Sequence, residues 1–147
     1  MIQMEVLTEA MIDEIVTLEN LCFPEDPWSR GMFEAELQNP LSVFIVGKDT
    51  TTGNSVGYGG VWLMYDVGNI TNIAIHPDYR REGIGTNILA LMTDICKEKG
   101  METITLEVRE SNLPAQKLYE TNGFTVCGRR KKYYQGKEDA LIMTKEL

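Results

Sequence analysis

The chain has 147 residues, of which 43% are hydrophobic, and carries a formal net charge of −8. That length suits a single domain over residues 1–147 with a real buried core, and no apolar run approaches the roughly 18 residues of a membrane span. The acidic balance disfavours nonspecific attachment to nucleic acid or to an anionic membrane. It promotes solubility first and a basic partner second.

Residues 2–6 read as a first strand. From Thr8, a plausible N-cap, Met11, Ile12, Ile15, Leu18 and Cys22 recur at helical spacing. Pro24 and Pro27 must end that helix. Ser29 can cap a second helix with Phe33 and Leu37 on its apolar face, stopping before Pro40. Ser42 to Gly47 and Ser55 to Tyr65 read as a hairpin around the polar turn Lys48 to Asn54. Gly57, Gly59 and Gly60 inside the second of these strands predict a bulge or a close backbone approach.

A strand from about Gly68 to Ile75 leads into the turn His76-Pro77-Asp78-Tyr79-Arg80-Arg81-Glu82-Gly83-Ile84-Gly85. A helical stripe of Ile84, Ile88, Leu91, Met92 and Ile95 follows and stops at Gly100. Thr103 to Val108 alternate as a strand, Asn112 to Thr121 form a helix, and two closing strands span roughly 124–134 and 138–146. The order is β-α-α-β-β-β-α-β-α-β-β, an α+β architecture with helices around a mixed sheet.

Three places carry chemistry. An apolar strand running into Arg80-x-x-Gly83-x-Gly85 and a helix aims backbone N–H groups at one point, with the positive end of a helix dipole behind them. That is a place to hold phosphate. Glu107 interrupts the apolar strand Ile104-Thr105-Leu106-Glu107-Val108, so its carboxylate either faces solvent, pairing with Arg109, or lines a polar cleft. Tyr119, in Lys117-Leu118-Tyr119-Glu120, is either a core tyrosine or a proton donor. Cys22, Cys96 and Cys127 lack metal-ligand spacing and read as reduced thiols, and the only histidine is His76. The start Met1-Ile2-Gln3-Met4-Glu5 has no signal-peptide character, so a cytoplasmic location is expected.

Arg80-x-x-Gly83-x-Gly85, Leu106-Glu107-Val108-Arg109-x-Ser111-Asn112 and Leu118-Tyr119-x-x-x-Gly123-Phe124, in that order and spacing, resemble the GCN5-related N-acetyltransferase (GNAT) superfamily. Cys22-Phe23-Pro24-Glu25-Asp26-Pro27-Trp28-Ser29, Arg129-Arg130-x-x-Tyr133-Tyr134 and Glu138-Asp139-Ala140-x-Ile142-Met143 extend the resemblance to the ribosomal-protein-alanine N-acetyltransferase (RimI) type. The Glu25-Asp26 pair lengthens the Pro-Trp-Ser segment relative to the shortest members.

The resemblance implies the GNAT fold and transfer of acetyl from acetyl-CoA to a protein N-terminal amine, that of a ribosomal protein alanine, without a metal. It implies that the backbone of Arg81, Glu82, Gly83, Ile84, Gly85 and Thr86 wraps the pyrophosphate of acetyl-CoA. It further implies that Ile73, Ala74 and Ile75 pair with the pantetheine arm, as an added strand would, and that Asn112 touches the cofactor. Glu107 becomes the general base and Tyr119 the general acid. The pairing with pantetheine requires the strand ending at Ile75 to splay from the strand bearing Glu107. Trp28, Tyr133 and Tyr134 could frame a groove for the acceptor or serve as core and rim aromatics. Rival readings are a protein lysine or a small amine as acceptor, and a noncatalytic acetyl-CoA sensor. No direct nucleic-acid or membrane partner is expected.

Overall fold

A computed structural model describes residues 1–147. The strands are β1 (Ile2–Val6), β2 (Ser42–Asp49), β3 (Ser55–Met64), β4 (Val67–Ile75), β5 (Thr103–Arg109), β6 (Thr125–Tyr134) and β7 (Glu138–Glu146). The helices are α1 (Ile12–Cys22), α2 (Arg30–Gln38), α3 (Ile84–Glu98) and α4 (Leu113–Thr121), with short 3-10 turns at Glu9–Met11 and Pro77–Tyr79. The element order is the one read from the sequence. None of these helices is long and apolar enough to cross a membrane.

The seven strands form one mixed sheet in the order β1-β2-β3-β4-β5-β7-β6. All neighbours are antiparallel except β4 and β5, which run parallel through the α3 crossover. Alternation along each strand sends side chains to two separate cores. Phe44 and Val46 of β2 join Tyr58 and Ala74 under Ile12, Ile15, Leu18 and Phe33 of α1 and α2. Ile45 points the other way, into a larger cluster where Ile84, Ile88, Leu89 and Met92 of α3 meet Ile104, Leu106, Val108 and Met143. Helix α1 lies over β3 and β4, and α2 over β2. Glu107 and Arg109 of β5 stand on that same side, opposite the α3 core.

Two caps differ in kind. The Ser29 side chain accepts from the Met32 N–H at 3.3 Å, as its position predicts. Thr8 has the extended backbone of a cap, yet its side chain makes no such bond, and a 3-10 turn separates it from α1. The expected disturbance at the β3 glycines is real. A Cβ at Gly60 would lie 2.4 Å from the Phe44 ring, and the β3–β4 register shifts between Gly60 and Val61.

The parallel pairing of β4 with β5 covers only Val67–Ile70 against Thr103–Leu106. Beyond that point β4 stays with β3, and β5 continues with β7 to Arg109. The sheet therefore opens into a V, with Ile73, Ala74 and Ile75 on one arm and Glu107 on the other. This is the splay that the resemblance implies.

Candidate active site

The turn that closes β4 is built from backbone. His76 Nδ1 accepts from the Asp78 N–H at 3.0 Å, and the Tyr79 hydroxyl donates to Asp49 Oδ2 at 2.7 Å, which ties the turn to β2. Arg80 folds back and donates from Nε to the Ile75 carbonyl at 3.1 Å, so its side chain points away from the helix start. The next residues include two left-handed ones, Arg81 at φ +67° and Gly83 at φ +81°. A non-glycine residue held there stores about 1 kcal/mol or more of strain, the kind of outlier that clusters at ligand sites. None of the six N–H groups from Arg81 to Thr86 has a backbone partner. They precede a 15-residue helix whose dipole places partial positive charge at this end. The donor set suits a pyrophosphate.

The two glycines of the turn do different work. A Cβ on Gly83 would meet nothing within 4 Å, so its requirement is conformational. At Gly85, with ordinary helical geometry, a Cβ would come within 3.2 Å of Leu118 on α4, so its requirement is packing between helices. Of the three β4 residues, Ile75 has its carbonyl engaged by Arg80 and, at 3.5 Å, by the Cys22 thiol.

Across the V lies a cleft of about 460 Å³ lined by Asp26, Trp28, Ile70, Thr71, Glu107 and the Tyr133–Gln135 segment. A second recess of about 450 Å³ shares Glu107 and Tyr133 with it and extends to Trp62, Met64, Tyr65 and Arg130. Glu107 thus stands where both open, with its side chain 17% exposed. The Arg109 partner suggested by strand alternation is not its partner. Its Oε1 lies 3.3 Å from Arg130 Nε.

Arg109 instead clamps the two walls. One terminal nitrogen donates to Asp26 on the α1–α2 loop at 2.8 Å, and the other to Glu138 on β7 at 3.0 Å. Its guanidinium lies 4.3 Å from the centre of the Tyr134 ring. Gln135 adds a bond from its side chain to the Glu25 carbonyl. Hydrogen bonds from Ser111 and then from Arg109 hold the Glu138 carboxyl below the usual carboxylate range. The Glu25-Asp26 pair is therefore part of the clamp.

Trp28 both lines the cleft and packs on Phe33 and Phe44 at 5.3 and 6.0 Å. Tyr133 and Tyr134 line the opposite wall, edge to face at 5.0 Å. The wall bulges because the β6–β7 register shifts between Arg130 and Tyr134, with Lys132 at φ +52°. Burial, with Tyr133 adding to it, pushes the Tyr134 phenol up to about 12.

Tyr119 is placed differently from the other candidates. It is buried, rests against Phe124 at 5.9 Å, and belongs to the α3 core rather than to the lining of either recess. Burial, with the Tyr134 phenol adding to it, holds its pKa above the ordinary phenol range. Asn112 caps α4, accepting from the Ala115 N–H at 3.2 Å.

Sequence reasoning missed Asp26, Glu138 and Arg130 as parts of the cleft, because their partners lie on other elements. It also missed Glu19, although there a signal existed. Glu19 falls on the apolar stripe of α1, four residues after Ile15. Its Oε2 accepts from the Trp28 N–H at 2.8 Å, while Oε1 is buried without a partner. Burial raises its pKa, against the pull of the Trp28 bond. Glu19 fixes the loop that forms the Trp28 wall.

The family model for the acetyltransferase (GNAT) family matches residues 12–124, spanning the turn, the V and α4. The chain belongs to the GNAT acetyltransferase family. It is an acetyl-CoA-dependent N-acetyltransferase.

A Bacillus subtilis protein, provisionally named a ribosomal protein bS18-alanine N-acetyltransferase, is 42% identical over 135 residues, covering 90% of this chain and 87% of its own. An Escherichia coli K12 protein named for the same activity is 35% identical over 120 residues, 80% of this chain and 79% of its own. The crystal structure of the ribosomal-protein-S18-alanine N-acetyltransferase from E. coli superposes with a TM-score of 0.89 at 30% identity, covering 99% of this chain and 94% of that one. The NatC complex bound to Gag peptide and CoA, at 23% identity, shares the GNAT fold with a TM-score of 0.88 over 99% of this chain and 98% of that one.

Proposed function

We infer that this enzyme acetylates the N-terminal amine of a ribosomal protein that begins with alanine. The observation that carries the reading is the position of Glu107, a largely enclosed carboxylate on one arm of the V where two recesses meet. The names of the bacterial relatives, each over four-fifths of this chain or more, support the acceptor. The acidic net charge of −8 suits a basic polypeptide tail. In this reading residues 1–147 form one catalytic domain working in the cytoplasm, where such proteins are made, with no direct nucleic-acid contact.

The N–H groups of Arg81 to Thr86 hold the pyrophosphate of acetyl-CoA, and the stretch Ile73, Ala74 and Ile75 of β4, which β5 leaves unpaired, aligns its pantetheine arm. Asn112 contacts the cofactor from the start of α4. Glu107 takes a proton from the acceptor ammonium, whose ordinary pKa of about 8 asks for only a modest base. The freed nitrogen forms the new bond to the acetyl carbon, the thioester C–S bond breaks, and the nitrogen's second proton leaves to solvent. Tyr119 gives its proton to the departing sulfur. Its raised pKa keeps it a neutral phenol across the working range, and desolvation beside it makes the thiolate more basic as well. Glu107 then gives its proton to solvent, and Tyr119 regains one as coenzyme A leaves.

The test is release of free coenzyme A in the presence of a peptide with a free N-terminal alanine followed by basic residues. A second peptide, with a blocked terminus and one lysine, runs in parallel. Turnover of the first alone is expected, with kcat lower by about 10²-fold in Glu107→Gln and reduced in Tyr119→Phe. Turnover of the lysine peptide alone overturns the acceptor. Full activity in both variants overturns the assigned roles.

A further inference from the structure

Two arginines approach the cleft, and they are held in opposite ways. Arg109 is 23% exposed, is bound by two carboxylates and is stacked on Tyr134. Arg130 is 56% exposed, and its single ion-pair partner is Glu107. It reaches that partner across β7. In register, Arg130 stands opposite Ala140, which stands opposite Arg109. These three residues therefore share a face with Glu107, two positions along β5. The short side chain of Ala140 lets the arginine stem cross between strands. Beyond it the guanidinium lies 5.5 Å from the centre of the Tyr133 ring, at the wall of the second recess.

Accepting the roles given to Glu107 above, this contact has a consequence. The base that must receive the acceptor ammonium already holds a cation. An amine that reaches the same oxygen, Oε1, displaces the guanidinium. Its contact is a single, half-exposed one, and leaving costs little. Having left, it borders a recess of about 450 Å³ continuous with the position of the amine. Three guanidinium nitrogens there can donate to main-chain carbonyls.

We propose that Arg130 is a specificity-determining residue that trades Glu107 for a carbonyl of the acceptor polypeptide beyond its first residue. In the empty site it competes with any amine for Glu107. A polypeptide acceptor compensates by accepting its hydrogen bonds, and a small amine does not. The enzyme thereby favours chain termini over free amines through the same residue that shields its base.

The experiment compares two acceptors, the alanine-terminated basic peptide and alaninamide, which ends at the first carbonyl. Arg130→Met keeps the stem over Ala140 and removes the charge, and Arg130→Lys restores a cation. In Arg130→Met the KM for alaninamide is expected to fall about fivefold, the scale of a half-exposed ion pair. The peptide-to-alaninamide ratio of kcat/KM is expected to fall about tenfold, the scale of a charge-assisted hydrogen bond. Arg130→Lys should recover part of that ratio. An unchanged ratio, or an equal loss of kcat on both acceptors, overturns the proposal while leaving the function above standing. Absence of wild-type turnover on the peptide overturns that function, and this inference with it.

Discussion

The arms of the V are made of different material. The β3–β4 arm and its turn are built from backbone and from missing side chains. Gly60 makes room for the Phe44 ring, Gly83 supplies a left-handed turn, and six N–H groups are left without backbone partners. The β5–β7 arm is built from charged and aromatic side chains. Glu107, Arg109, Arg130, Glu138, Tyr133 and Tyr134 converge there from three strands. An arm of the first kind binds something invariant, since main-chain geometry recognises shape and charge alone. One of the second kind can be retuned residue by residue, as a surface that chooses among acceptors must be. The first should therefore be sensitive to added carbon, and the second to removed charge.

The sharpest test of that contrast adds one methyl group. Gly60→Ala drives a Cβ into the far edge of the Phe44 ring, inside the core beneath α1 and α2. Overpacking of this kind costs about 1–3 kcal/mol, and the upper end is expected because the neighbour is an aromatic ring. Urea denaturation should show the loss as a lower midpoint at unchanged slope. A midpoint within error of wild type would mean that the cores yield more readily than their packing indicates.

Next in size is Gly83→Val. The site has open space, so the damage comes from forcing a β-branched residue into φ +81°, at about 1–3 kcal/mol. Calorimetry should find acetyl-CoA bound about tenfold more weakly, with KM for the peptide little changed at saturating acetyl-CoA. Equal damage to both would break the division between the arms.

The smallest effect is expected from Arg109→Met, which removes the clamp between Asp26 and Glu138 while keeping an apolar stem against Tyr134. KM for the peptide should rise about three- to fivefold, the scale of a partly exposed ion-pair network. Acetyl-CoA affinity should stay within twofold. A rise confined to acetyl-CoA would assign the clamp to the wrong arm.

The fold was legible in the sequence almost to the residue, because hydrophobic period, prolines, caps and glycines are local signals. Pro24 and Pro27 end α1, Ser29 starts α2, and Gly100 stops α3 whatever the rest of the chain does. The anion-binding turn was legible for the same reason, since its donors are consecutive residues. Glu107 was legible as an anomaly, a carboxylate in an apolar strand. Its partner was not. Alternation offered Arg109, two residues away, and only the strand order β5-β7-β6 placed Arg130 opposite and sent Arg109 to Asp26 and Glu138. Tyr119 shows the same limit, because a helical tyrosine looks alike whether it is exposed in a cleft or, as here, packed in the core. The sequence by itself determined the elements and the backbone-built half of the site, whose residues are neighbours along the chain. The tertiary structure alone decided which charges meet, because ion pairs form between side chains that distant strands carry together.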